Sequence, residues 1–370
     1  MDKGKYKMDA LRTKNNGFRS PAFTIKVNGE TLESTELNIQ NLDVDLCADG
    51  SAGGCQFTIS SEYNREKSEW LNKLADTIKV GARLEIKGGY VKKEAIFFGY
   101  VDDVSLDYSG RHPPSISVSG IDGFGFLMNC QEPIYGGQKK PQELVKEILE
   151  KAVTAKVAKS VTVGRIDSST EAPVVPLIKE QIDDFKYLKL LAERYCRSLL
   201  CINGELIFDD VISDNTPLIE LSAMYDVIYL SKRMSLHSQV GKMTVWGRDV
   251  NQKLIEGSAE SVSLQGSGET AVEVATAFKK TARREYCEYV RTQAECQALA
   301  QARLNSLSLE YITGQGSCLG IPELIPGRYV TISNIDNSTK GSYFVTKVHH
   351  KFNNRGGYMT TFEFKGAKDK

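Results

Sequence analysis

The feature of this sequence that most constrains its fold is a set of three β-prone segments that occurs twice, about 245 residues apart. The first copy contains GARLEIKGGY, YVDDVSLDY and ISVSG, and the second contains GRYVTISNID, FVTKVHHKF and FEFKG. Each copy runs from glycine to glycine over 39 residue steps, in the ranges Gly81–Gly120 and Gly327–Gly366. Four apolar residues of the first copy, Tyr100, Val101, Val104 and Tyr108, align with Phe344, Val345, Val348 and Phe352 of the second. A β-unit duplicated at the two ends of one chain favours a scaffold over a catalyst.

The segments around the repeats predict a mainly β protein with α+β content. Two related antiparallel β-barrel-like domains flank a small α+β middle domain, which suits 370 residues because one core rarely grows beyond roughly 250–300. The predicted divisions are a polar N-terminal arm, mobile or bound to a partner, over 1–20, a first β-barrel-like domain with a helical insertion over 21–130, the middle domain over 131–225, and a second β-barrel-like domain over 226–370 with a Gly/Ser-rich and helical insertion at about 256–308.

Turn and helix signals locate the individual elements. Asn-Gly pairs at residues 28–29 and 203–204 predict β-hairpins. Apolar residues at helical spacing predict helices over about 66–78, from Pro141 onward, and after a cap at Asp183 or Asp184. The Gly- and Ser-rich stretch at about 256–270 predicts a flexible excursion, followed by helices near 270–281 and 292–307.

Composition excludes several classes of function. The net charge is zero, with 47 basic and 47 acidic residues, so no overall basic field attracts nucleic acid, and specific nucleic-acid binding is not expected. No apolar run is long enough to predict a membrane span, and the N-terminus lacks the apolar region of a secretory signal. The eight cysteines are spread over a long chain, which predicts mostly free thiols in a reducing compartment.

Paired carboxylates are the first candidates for catalysis, and each pair has a simpler structural explanation. Neighbouring strand residues face opposite ways, so Asp102 and Asp103 cannot share one reaction centre. The pair at 183–184 lies where a helix needs its N-cap, and the pair at 209–210 lies where a strand turns. The sequence therefore predicts no catalytic residues.

Metal and cofactor motifs are also missing. His349 and His350 are adjacent in a predicted strand and cannot bind one metal from it, while His112 and His237 stand apart. Neither Cys196 with Cys201 nor Cys47 with Cys55 has a second pair at zinc-ligand spacing. Glycine-rich segments such as 50–54, 88–89, 136–137 and 356–357 precede no helix as a phosphate loop would. No metal, cofactor or cofactor-binding residue is predicted.

Several strings in the sequence resemble one protein family. They are FKYLKLLAERYCRSLL at 185–200, GELIF at 204–208, MTVWGRD at 243–249, a Pro-Gly step at 326–327 before YVTI, and GSYFVTKVHHKF at 341–352. In this order they resemble the baseplate hub proteins of contractile phage tails, including the phage late control gene D family and the N-terminal hub part of the valine-glycine repeat spike proteins of type VI secretion. The resemblance covers most of residues 20–366.

The resemblance implies a homotrimer whose two β-units form a torus, so that three chains present six similar positions to a hexameric tail tube. The implied partners are a tube or tube-initiator protein, a central spike, and the tape measure and other baseplate proteins. The chain ends at Lys370, soon after the second repeat, so a separate spike protein is expected. The implied location is the bacterial cytoplasm during assembly and then the baseplate of a phage, tailocin or injection particle.

Two functions of other classes remain open from the sequence. One is a tail-associated hydrolase of cell-wall glycans that uses one of the aspartate pairs. The other is a carbohydrate-binding β-protein, which would be monomeric or dimeric.

Overall fold

A computed structural model of the chain describes residues 4–32, 38–60, 63–70, 74–135, 139–166, 177–264, 268–277, 281–337, 339–353 and 357–369. The helices are α1 (Met8–Lys14), α2 (Leu74–Thr77), α3 (Gly123–Met128), α4 (Pro141–Thr154), α5 (Asp184–Tyr195), α6 (Ala271–Ala277) and α7 (Gln293–Leu309), with a 3-10 turn at Asn16–Phe18.

The strands of the first half are β1 (Ala22–Val27), β2 (Glu30–Leu32), β3 (Asn38–Cys47), β4 (Gly54–Ser60), β5 (Tyr63–Asn64), β6 (Glu69–Trp70), β7 (Arg83–Gly89), β8 (Lys93–Asp107), β9 (Ser115–Ile121), β10 (Ile134–Tyr135), β11 (Ser160–Val163) and β12 (Ile178–Lys179). Those of the second half are β13 (Ser198–Ile202), β14 (Glu205–Asp209), β15 (Pro217–Ser222), β16 (Val227–Met234), β17 (Lys242–Arg248), β18 (Leu254–Ala259), β19 (Glu269–Thr270), β20 (Ala282–Tyr286), β21 (Ile312–Leu319), β22 (Tyr329–Ser333), β23 (Gly341–Asn353), β24 (Gly357–Gly366) and β25 (Lys368–Asp369).

Thirteen of the described strands form one large, mostly antiparallel sheet. Its main path runs β16-β21-β24-β23-β3-β4-β9-β8-β7-β1-β2, and β22 joins it by pairing with β23 and with β15. The path contains two runs of the same kind, β3-β4-β9-β8-β7-β1 and β16-β21-β24-β23-β22-β15. They differ at the last strand, because β1 is antiparallel to β7 whereas β15 is parallel to β22. The predicted fold class, mainly β with α+β and two related β-units, is confirmed.

Three apolar cores underlie this architecture. The largest core lines the two β-units and includes Phe57, Val101, Val345 and Phe362. A second core lies between helices α3, α4 and α5 and the small sheet β11-β14-β13. A third joins β17 and β18 to α7 through Met243, among others. The element that holds the second core contacts the large sheet where β13 meets β3 and β8, and the third core contacts it where α7 meets β24.

Most of the local predictions are confirmed. Both Asn-Gly pairs form hairpin turns with positive φ at each residue, because Asn and Gly tolerate this left-handed backbone better than other residues. Helices α4, α5, α6 and α7 occupy the predicted segments. Asp183 caps α5 by accepting a hydrogen bond from the backbone N–H of Lys186.

Three local predictions are wrong. The helix expected over 66–78 is limited to α2, and Trp70 instead lies in the short strand β6 beside Tyr63, with residues 71–73 outside the described set. The flexible excursion expected over 256–270 begins as a regular strand, β18, because β17, with its buried Met243 and Val245, provides a partner strand. The N-terminal segment is not a mobile arm over its described residues, since Leu11 and Phe18 are buried in the main core.

Candidate functional site

The two repeats share a hydrogen-bonding pattern. The backbone N–H of Gly81 donates to the carbonyl of Val101 over 2.8 Å, and that of Gly327 donates to the carbonyl of Val345 over 2.9 Å. Both glycines adopt positive φ, 84° and 79°. The turn that enters each repeat is therefore built in the same way.

The long strands of the repeats also carry the same irregularity. A β-bulge separates Val101 from Asp103 in β8 where it pairs with β9, and another separates Val345 from Lys347 in β23 where it pairs with β24. These bulges confirm the alignment of Val101 with Val345. The closing glycines do not correspond, because Val101 pairs with Gly120 whereas Val345 pairs with Phe364. The first glycines of the two repeats, Gly81 and Gly327, therefore correspond in the structure. The last glycines, Gly120 and Gly366, do not.

A seam joins the two repeats within one chain. We use this name for the antiparallel pairing of Leu42–Cys47 in β3 with Lys347–Phe352 in β23. Acidic side chains on β3 face basic ones on β23. His349 lies opposite Asp45, with its Nδ1 2.8 Å from a carboxylate oxygen, and its Nε2 lies 3.1 Å from Asp43.

The ion pairs of the seam set the protonation of His349. The hydrogen bond with Asp45 raises the pKa of His349, and the charge of Asp43 acts in the same direction. Lys351 lies 3.3 Å from Asp43, and Lys347 lies 3.2 Å from Asp49 at the end of the seam. A positive β23 thus meets a negative β3.

His350 points to the other side of the same strand. It is fully buried, and its Nδ1 lies 2.9 Å from the Tyr358 hydroxyl and 3.1 Å from that of Thr360. Burial lowers the pKa of His350 to about 3. The two adjacent histidines therefore face opposite sides, as the strand predicts, and cannot share a metal.

Two edges of the large sheet carry exposed apolar and charged side chains. The β8 edge consists of Asp103–Tyr108, the outer half of β8 and the residue after it, where the described residues offer no partner strand opposite β9. The β16 edge consists of Leu230–Ser235, where β21 is the one partner strand within the described ranges. Tyr108 is 58% exposed and Met234 is 48% exposed. Such edges are unusual, because a bare strand edge invites pairing with another chain.

The aspartate pairs considered for catalysis are occupied by structural contacts. Asp183 is the α5 cap, while Asp184 is completely buried and paired with Lys179 and Lys151. Sequence reasoning missed this buried ion pair, because nothing in the spacing of the two lysines signals it.

The remaining aspartates lie in turns or at the surface. Asp210 accepts hydrogen bonds from the backbone N–H and hydroxyl of Ser213, so it shapes the predicted turn after β14. Asp102 lies in the β8 bulge, and both it and Asp103 are exposed. No pair of these carboxylates faces a common pocket with a base or nucleophile among the described residues.

Cysteine and metal chemistry give no site in the described part of the chain. All eight cysteines are free thiols, as predicted, and burial raises the pKa of several of them, including Cys47 to about 12. Within the described ranges no group of three metal-ligating side chains comes together. No described helix is long and apolar enough to cross a membrane.

Comparison with known proteins identifies the class of fold first. The 43 kDa tail protein of prophage MuSo2 from Shewanella oneidensis superposes with a TM-score of 0.65 at 15% identity, over 93% of this chain and 98% of that one. A tail protein from Neisseria meningitidis MC58 gives a TM-score of 0.65 at 14% identity, over 94% and 97% of the two chains. The fold is that of phage tail proteins, and the resemblance to baseplate hubs is confirmed at this level.

A third structure extends the likeness. The Escherichia coli c3393 protein, described as a component of the type VI secretion system with structural similarity to the T4 phage tail proteins gp27 and gp5, gives a TM-score of 0.53 at 11% identity, over 92% of this chain and 76% of that one. The family described as the Alg8 N-terminal domain matches residues 19–354, and the chain belongs to that family. No curated protein matches the sequence.

Proposed function

We propose that this protein is a structural baseplate hub of a contractile phage tail or phage-tail-like injection system. In this role it forms a homotrimer that joins a hexameric tail tube to a separate central spike. The observation that carries the proposal is the duplication of one β-unit, down to the glycine turn at Gly81 and Gly327 and the bulge in each long strand.

The duplication matters because of symmetry. A ring of three chains with two similar units each offers six nearly equivalent positions, which suits a partner with six-fold symmetry. The shared fold of the tail proteins from Shewanella and Neisseria supports the same assignment. Tube, spike, tape measure and other baseplate proteins are the proposed partners, and the particle baseplate is the proposed location after assembly in the bacterial cytoplasm.

A non-enzymatic role fits the aspartates. Catalysis by carboxylates needs two groups with separated pKa values at one reaction centre. Asp183 and Asp184 instead serve a helix cap and a buried ion pair, and Asp210 shapes a turn. Among the residues that the structure describes, these contacts favour the hub over the glycan hydrolase.

Stoichiometry tests the proposal. Native mass spectrometry and electron microscopy of the purified chain, alone and with the tube and spike proteins of its particle, are expected to show three copies in a closed ring. A chain that stays monomeric even with its spike would overturn the hub. A parallel assay on purified peptidoglycan is expected to show no turnover, and turnover abolished by Asp183→Asn or Asp209→Asn would favour the hydrolase.

A further inference from the structure

Two strand edges correspond to the two strands of the seam, but they do not pair with each other within the chain. In the seam, the first strand of one six-strand run, β3, pairs with the outer half of the long strand of the other run, β23. The equivalent strands in the opposite runs are β16 and β8. Their corresponding edges are the β16 edge and the β8 edge, and neither has a further partner strand within the described ranges.

Exposure of matched residues shows what is missing at these edges. Phe352 of β23 is 3% exposed, whereas Tyr108, which aligns with it in β8, is 58% exposed. Leu46 of β3 is 3% exposed, whereas Met234, its counterpart in β16, is 48% exposed. Equivalent apolar positions are thus covered in the seam and uncovered at the two edges.

We propose that the β16 edge of one copy pairs antiparallel with the β8 edge of the next copy and so repeats the seam between chains. This proposal rests on the trimeric hub proposed above and adds its contact surface. The register follows from the seam and from the ladders that position each strand. Where Asp45 faces His349 and Leu46 faces Val348, Arg233 faces Ser105 and Met234 faces Val104.

The same register brings opposite charges together. Arg233 lies diagonal to Asp103 and Asp107, on the same face of the sheet and two residues to either side of Ser105. All three charged side chains are exposed, and none forms an ion pair with another described residue. The seam provides the precedent, because His349 contacts both the directly opposite Asp45 and the diagonal Asp43.

Charge is reversed between the seam and the proposed interface at matched positions. The basic residues Lys347 and Lys351 of β23 align with the acidic residues Asp103 and Asp107 of β8. The acidic Asp45 of β3 aligns with the basic Arg233 of β16. An acidic β3 would therefore be repelled by an acidic β8, and a basic β16 by a basic β23. This reversal permits one order only, in which first and second units alternate around the ring.

The side chain of Tyr108 is fixed in position by two neighbouring aromatic residues. The indole Nε1 of Trp70 donates to its hydroxyl over 3.1 Å, and the ring of Tyr63 packs edge-on against it with centroids 5.4 Å apart. In the proposed register Tyr108 meets Leu230 of the next copy, as Phe352 meets Leu42 in the seam.

Charge reversal in the full-length chain tests the interface. Arg233→Glu is expected to weaken trimer association about tenfold or more, because it places a carboxylate beside two others. The triple variant Arg233→Glu with Asp103→Lys and Asp107→Lys is expected to restore the wild-type trimer. Lys253→Glu, an equal charge change at an exposed residue beyond both edges, is the matched control and is expected to leave the trimer intact.

Cross-linking tests the register. Val104→Cys with Met234→Cys is expected to give covalent dimers and trimers with a short bis-maleimide, and each single variant is expected to match the wild-type background of native thiols. Ser105→Cys with Met234→Cys is the register control, since the Ser105 side chain points to the other face of the sheet, and it is expected to cross-link at least fivefold less.

The outcomes separate this interface from the hub itself. A trimer that survives Arg233→Glu unchanged and fails to cross-link through residues 104 and 234 would overturn the interface and leave the hub standing. A chain that remains monomeric with its spike would overturn the hub. Cross-links from either edge to a tube or spike protein instead of a second copy would assign the edge to that partner and overturn the pairing.

Discussion

The Nδ1 atom of His349 lies 2.8 Å from a carboxylate oxygen of Asp45, although 304 residues separate the two in sequence. This contact lies across the seam, where the N-terminal and C-terminal β-units become one sheet. His350, the next residue on β23, is buried on the opposite side of the sheet. The two histidines give the seam opposite responses to pH, and each can be tested separately.

Protonated His349 stabilises the seam. Asp45 raises the pKa of His349 in the folded chain above its unfolded value, so this stabilisation is fully present below about pH 6.5 and is lost as pH rises through the folded pKa. His349→Gln is expected to lower the free energy of unfolding more at pH 5.5 than at pH 8.5, as measured by urea denaturation. Lys347→Gln, which removes a cation paired with Asp49 at the end of the seam, should cost the same at both pH values. An equal cost for His349→Gln at both would contradict the role of its proton.

Neutral His350 destabilises the fold in acid. Its folded pKa of about 3 lies below the unfolded value, so the unfolded chain gains a proton that the folded chain cannot accept. This single group is expected to remove about 2 kcal/mol of stability between pH 6.5 and pH 5. His350→Gln is expected to be less stable than wild type at neutral pH but to lose less on acidification. If the free energy of unfolding falls equally with acidification in both proteins, His350 is not the cause of the loss.

The buried pair of Asp184 with Lys179 predicts a large effect of removing one partner. Lys179→Met leaves a fully buried carboxylate with Lys151 alone, and it is expected to lower the free energy of unfolding by about 3–5 kcal/mol. Lys186→Met, which removes an exposed lysine paired with Asp183, is the control and is expected to cost less than about 1 kcal/mol. Guanidinium denaturation of both variants measures the difference. An equal loss of stability in the two variants would contradict the importance of Lys179 as the partner of Asp184.

The glycine that enters the first repeat predicts a purely conformational cost. A methyl group at Gly81 would meet no atom within 4 Å, but φ there is +84°. Gly81→Ala is therefore expected to cost about 1–2 kcal/mol, with the fold retained. Gly110→Ala also adds a methyl group in open space, at a residue outside the left-handed region, and should change the melting temperature little. Equal melting temperatures for both variants would contradict the backbone explanation.

The sequence predicts the repeated β-units, both Asn-Gly hairpins and the long helices, because each depends on local spacing or on turn residues whose backbone preferences are strong. It fails at β18, where Gly and Ser suggest flexibility but β17 supplies a ladder. It also fails for the N-terminal segment, whose Leu11 and Phe18 are too few to signal burial. The predicted domain boundaries stay predictions.

The seam and the buried pair could not be predicted from spacing alone. Asp45 and His349 are 304 residues apart, and no pattern in either segment predicts that the two strands pair. Lys179 and Asp184 are close in sequence, but their ion pair depends on a core formed by α4 and α5. The sequence predicts β8 and β16 as strands but does not show that their edges lack partners. That difference follows from comparing them with the paired strands of the seam.

The seam also has a consequence for synthesis of the chain. Asp45 of β3 is synthesised 304 residues before its contact His349 of β23. The central sheet therefore closes only after β23 has been synthesised, because contacts between distant segments wait for both to be available. A nascent or truncated chain that ends before Lys347 has a bare β3 edge, and such an edge is prone to aggregate. Synthesis through β23 is thus a precondition for closing the sheet.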